Sequence, residues 1–115
     1  MAKTLKFDED LAELILSGKK TATWRLFDDK NISLGDKLDL LARPKLEKFA
    51  EAIVLDVVEK PFSLLEKADY EGHETYNDTE EMYCTFSKMY KREVGPNTIV
   101  KIIHFSLIQN KNIQN

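Results

Sequence analysis

Apolar residues recur along this chain with two periods, one near 3.6 and one of two, and the switches between them lay out the predicted elements. Phe7, Leu11, Leu14 and Ile15 repeat at helical spacing, which predicts a helix over residues 8–17, with Asp8 placed to cap its free amides. Gly18 supplies a left-handed exit. TATWRL, residues 21–26, changes to the period of two, so Thr21, Thr23 and Arg25 share one face of a strand and Ala22, Trp24 and Leu26 the other. A reversal at Leu34-Gly35-Asp36 leads to a second strand, in which Leu38 and Leu40 alternate with Lys37 and Asp39 until RPKLEK breaks it. FAEAIVLDVVEKP is almost continuously apolar from Ile53 to Val58 and predicts a central or barrel-lining strand, closed by Pro61, with a short helix through FSLLEKA.

Residues 69–77, DYEGHETYN, follow neither period and predict a loop. Asp78 and Glu81 resemble a capping box for a helix over TEEMYCTFSKMYKRE, whose stripe is Met82, Tyr83, Phe86, Met89 and Tyr90 and which Gly95 and Pro96 end. TIVKIIHFSLI is the last strand, with Val100, Ile102 and His104 on one side and Ile99, Ile103 and Phe105 on the other. Helix, three strands, short helix, loop, helix and strand do not make the repeating strand-helix alternation of a doubly wound fold. The expectation is an α+β domain, a small mixed sheet or partly closed barrel whose helices cover its ends or mouth.

A length of 115 residues suits one such domain and is too short for two independent cores. The periodic elements place that domain at residues 1–109, with residues 110–115 as a polar tail. The 43% hydrophobic and 32% charged composition is that of a globular protein, and no apolar run is long enough for a membrane span or a signal core. A cytoplasmic location is expected. One cysteine, Cys84, and two histidines, His73 and His104, make neither an internal disulfide nor a metal site, so no metal or cofactor is expected. The net charge of -3 gives no global attraction to nucleic acid, although a local basic groove stays open.

The chemistry concentrates in SGKKTATWRL, residues 17–26. Lys20 reads either as an exposed cation at a helix exit or as a partly buried base, nucleophile or anion holder, and Lys19 shares the first reading. Thr23 and Arg25, two apart on a strand, are either a surface pair or a hydroxyl and a guanidinium aimed together at a carbonyl, with Thr21 nearer the turn. The loop offers carboxylates at Asp69, Glu71 and Glu74, which are either solvated or brought beside Lys20 for proton transfer. Tyr70, His73 and Tyr76 are its candidate recognition residues, whereas Trp24 reads as core. Phosphate-loop, dinucleotide and serine-hydrolase motifs are absent.

The helix ending in Gly18-Lys19-Lys20-Thr21, the strand carrying Thr23 and Arg25, and the Gly35-Asp36 pair before the next strand resemble the signature of the ASCH domain family, small relatives of the RNA-binding PUA domain. The resemblance covers nearly the full chain and implies a small PUA-like mixed β-barrel with flanking helices. Some bacterial members hydrolyse N4-acetylcytidine with a lysine, a threonine and a later glutamate, supported by an arginine. Carried over, these roles fall on Lys20, Thr23 and Arg25, with Glu71 preferred as the acid and Glu74 its alternative. The resemblance thus implies amide hydrolysis at an acylated cytidine, or else a non-catalytic module binding RNA or a modified nucleotide, with Lys19, Lys20 and Arg25 neutralising phosphate and a loop tyrosine stacking a base.

Overall fold

The computed structural model describes residues 2–108, so the boundary at 109 and the polar tail lie outside the described residues. Five strands form one mixed sheet in the order β1 (Lys3–Phe7), β3 (Lys37–Ala42), β4 (Glu47–Pro61), β5 (Ile99–Leu107), β2 (Ala22–Arg25). Helix α1 (Glu9–Leu16) follows β1, and α2 (Thr79–Tyr90) precedes β5; single 3-10 turns occupy Phe62–Leu64 and Lys67–Tyr70. The apolar run around Ile53–Val58 lies at the centre of the sheet, in β4. That strand extends over 15 residues, longer than its apolar stretch, and is irregular against β5 between Val54 and Asp56.

Strand β1 was not predicted. It pairs parallel with β3, Leu5 opposite Leu40 and Phe7 opposite Ala42, while the other three pairings are antiparallel. Only Leu5 and Phe7 of its five residues are buried, too short an alternation to compete with the helical spacing into which Phe7 also fits.

β1 and β2 are the two ends of the hydrogen-bonding order, yet they face each other across a seam. Arg25 Nη2 donates to the Lys6 carbonyl at 3.2 Å with its guanidinium 4.8 Å from the Phe7 ring centroid, and Lys30 Nζ donates to the Thr4 carbonyl at 2.6 Å. The sheet is therefore curled into a half-barrel, and cationic side chains satisfy carbonyls on its free edge. Alternation along β5 divides the core: Ile103 and Phe105 pack with Leu5, Phe7, Ile15 and Leu40, while Val100 and Ile102 pack with Trp24, Phe62, Met82 and Phe86. Lys101, on the same strand, is buried and pairs at 2.8 Å with Asp28, a bond across 73 residues that the strand pattern does not announce.

The capping box is half as expected. Asp78 accepts from the Glu81 amide at 2.8 Å, but Glu81 returns its bond to the Asn77 amide. At α1 Asp8 makes no side-chain cap and pairs with Arg43 at 3.1 Å. Helix α2 ends at Tyr90, before Gly95-Pro96, because Lys91 takes the left-handed conformation at φ 55°, ψ 39° and donates its N–H to Ser87. A lysine there carries a Cβ penalty that glycine lacks. Lys91→Gly is expected to stabilise the fold by about 0.5–1 kcal/mol, measured by denaturant melts.

Candidate active site

The loop over residues 71–77 is bound to the start of β2 by its backbone. The Gly72 carbonyl accepts from both the Thr21 and Ala22 amides, at 2.9 and 3.1 Å. Gly72 has φ +74°, and a Cβ there would meet Thr21 Oγ1 at 2.0 Å, so only glycine brings the two chains this close. The clamp sets the next two residues beside the start of β2, His73 against Trp24 and Glu74 against Lys20.

His73 stacks on Trp24, ring centroids 4.1 Å apart and 8° from parallel. Glu74 Oε2 accepts from Lys20 Nζ at 2.5 Å, an ion pair whose lysine side chain is 3% exposed and whose carboxylate is 33% exposed. Burial drives the Lys20 pKa down, opposed by the hydrogen bond and charge of Glu74. Burial also disfavours the Glu74 carboxylate, but the hydrogen bond and charge of the Lys20 ammonium, joined by His73 only where that ring is protonated, hold its pKa below the usual range.

Thr23 is buried and lies on the same face as Arg25, whose Nε donates to Thr23 Oγ1 at 3.2 Å. That bond occupies a lone pair of the hydroxyl and leaves its own O–H free to donate elsewhere. Tyr76 completes the inner wall, and burial together with the Glu74 charge holds its hydroxyl protonated well above neutral pH. The cleft encloses about 70 Å³ and is lined by the polar groups of Lys20, Thr23, Arg25, His73, Glu74 and Tyr76 together with the apolar surfaces of Phe7, Leu11, Trp24, Phe86 and Met89. Its rim is Lys6, Asp8 and Arg43, which it shares with a broad open depression reaching Pro44 and Leu46.

Of the residues singled out in the sequence, Lys20, Thr23, Arg25, His73, Glu74 and Tyr76 line one cleft. Glu71 is exposed, and the acid beside Lys20 is Glu74, reversing the order of preference between the two. Lys19 is exposed at the helix exit, and Thr21 is an exposed partner of the Gly72 clamp. Tyr70 is not on the cleft: it packs edge-on to Trp24 at 5.0 Å and its hydroxyl lies 3.7 Å from the Met82 sulfur. Lys6, Asp8 and Arg43 were not among the site candidates, since parallel pairing of the unpredicted β1 brings them to the rim. Trp24 is core as expected and also forms a cleft wall, and its Nε1 has no hydrogen-bond partner among the described residues.

Among the described residues no three His, Cys, Asp or Glu side chains gather as metal ligands, and no helix is long and apolar enough to cross a membrane.

His73 gives the fold a pH dependence. Burial, and next the Lys20 ammonium, push its pKa down from 6.5 to about 4. The folded chain therefore resists a proton that the unfolded chain takes up below about pH 6.5, so this stability is present at neutral pH and is lost as pH falls toward the folded pKa. Stability is expected to drop by about 2 kcal/mol between pH 7 and about pH 5 on this account. Denaturant melts of His73→Phe, which keeps a flat ring on Trp24, are expected to lack that drop.

No family model matches the sequence, and no curated protein matches it significantly. Solved structures do match in fold. A protein from Enterococcus faecalis V583, assigned to the family model DUF984, superposes with a TM-score of 0.79 at 17% identity, over 94% of this chain and 80% of that one. The ASCH domain from Lactobacillus crispatus JV V101 gives 0.70 at 14% identity, over 91% and 79%. The ASCH protein from Zymomonas mobilis gives 0.61 at 16% identity, over 96% and 77%. The curled five-stranded half-barrel with its two helices is the small α+β, PUA-like fold of the ASCH domain.

Proposed function

We propose that this protein hydrolyses the amide bond of an N4-acylated cytidine-type nucleoside, releasing a carboxylic acid and the free amine. The observation that carries this reading is the Lys20–Glu74 ion pair at 2.5 Å, with a lysine 3% exposed at the base of a cleft. A buried charge is costly, and a surface salt bridge would not need one.

Each group has a defined capacity. Glu74 takes a proton from water as it attacks the amide carbonyl carbon and passes it to the departing nitrogen. The Lys20 ammonium and the free O–H of Thr23 donate to the oxygen on which negative charge develops. Arg25 orients Thr23 and leaves Nη1 without a protein hydrogen bond among the described residues, free for the pyrimidine carbonyl. Direct water attack is favoured over a lysine-borne intermediate, because a lysine hydrogen-bonded to a carboxylate at 2.5 Å keeps its proton and has no lone pair to offer. The 70 Å³ cleft has room for the acyl amide and a water, while the sugar would lie in the open depression beyond Lys6 and Arg43.

The test is incubation of the purified protein with N4-acetylcytidine, with cytidine and acetate measured as products in equal amounts. Salt-sensitive binding of nucleoside or RNA without either product would replace this reading with the non-catalytic one.

A further inference from the structure

His73 and Glu74 point two acceptors at one place. The Glu74 carbonyl oxygen lies 2.9 Å from His73 Nδ1, and since a carbonyl only accepts, Nδ1 carries the ring proton. Burial keeps the ring neutral near pH 7, which leaves Nε2 with a bare lone pair. Nε2 stands 3.9 Å from Glu74 Oε1, the carboxylate oxygen that Lys20 does not use. Two lone pairs cannot bond to each other, and the remedy is a group with two donated hydrogens between them.

We propose that Glu74 Oε1 and His73 Nε2 together hold the attacking water, which makes His73 a water-positioning residue for the hydrolysis proposed above, on which this inference rests. An oxygen about 2.8 Å from each acceptor subtends an angle near 90° between them, close to that between the two O–H bonds of water. With both hydrogens engaged, the lone pairs of the water point away from Glu74 and His73, where a carbonyl carbon held in the cleft would meet them. The oxygen then forms its bond to the carbonyl carbon as one proton moves to Glu74 Oε1. Collapse breaks the carbon–nitrogen bond, and that proton leaves on the amine. The second proton stays with the oxygen, held by Nε2, until the product acid ionises. His73 needs no basicity for this, only a fixed lone pair, and its stacking on Trp24 and its bond to the Glu74 carbonyl fix it.

Two measurements test the inference. A crystal structure of the ligand-free protein near neutral pH is expected to show an ordered water within about 3.2 Å of both His73 Nε2 and Glu74 Oε1; no water there overturns the inference whatever the enzyme turns over. In kinetics on N4-acetylcytidine, His73→Phe is expected to lower kcat roughly 10- to 100-fold with KM changed less than about twofold, and His73→Gln, which restores an acceptor, to recover part of it. Unchanged kcat in a folded His73→Phe, or no recovery in His73→Gln, overturns the inference. A wild type that holds the water yet releases no acetate sustains the two-acceptor site and overturns only the hydrolase reading.

Discussion

Glu74→Gln is expected to lower turnover of N4-acetylcytidine by about 10²- to 10⁴-fold, while Glu71→Gln leaves it within about twofold. The two residues lie in the same loop, but Glu71 is exposed whereas Glu74 accepts from Lys20 at 2.5 Å. Glutamine keeps the size of the side chain and an oxygen for Lys20, and loses the ability to take up a proton. It also removes the charge that opposes the burial-driven fall of the Lys20 pKa, which weakens the cationic donor to the carbonyl. Steady-state kinetics with a melt of each variant check the result. A Glu74→Gln enzyme as active as wild type, or a Glu71→Gln enzyme that is dead, contradicts the assignment.

Gly72→Ala is expected to cost about 3 kcal/mol, lowering Tm by roughly 10–20 °C. Two effects add: a φ of +74°, which disfavours any Cβ, and a contact of 2.0 Å between that Cβ and Thr21 Oγ1. The contact is specific to one hydroxyl, so Thr21→Ala in the same chain should recover the part due to collision and leave the part due to φ. Since the Gly72 carbonyl takes the Thr21 and Ala22 amides, the single variant should also loosen His73 and Glu74 from β2 and lose turnover. Thermal melts of both single variants and the double variant measure the split. Equal melting of Gly72→Ala and wild type contradicts the clamp.

What the sequence made legible follows from local periods. Leu11, Leu14 and Ile15 announce α1, Gly18 with φ +85° ends it, and Gly35 with φ +87° makes the reversal before β3. The spacing of Thr23 and Arg25 put them on one face, where they are hydrogen-bonded. Long-range placement was not legible. β1 is held by parallel pairing to a strand more than thirty residues away, and KTLKF alone carries too little alternation to show it. The choice between Glu71 and Glu74 depends on a clamp made of backbone, the Gly72 carbonyl on two amides of β2, which leaves no trace in side-chain pattern. The strand pattern already allowed a partly closed barrel, and the resemblance to ASCH domains narrowed it to that form and pointed to Lys20, where composition alone favoured an exposed lysine.

A crystal structure of Glu74→Gln with N4-acetylcytidine tests the hydrolytic role of this cleft most directly. The acyl group is expected inside the cleft, its carbonyl oxygen within hydrogen-bond reach of Lys20 Nζ and the Thr23 hydroxyl, and the sugar outside beyond Lys6 and Arg43. A ligand bound elsewhere on the protein, or bound in this cleft with its acyl group facing solvent, would contradict it.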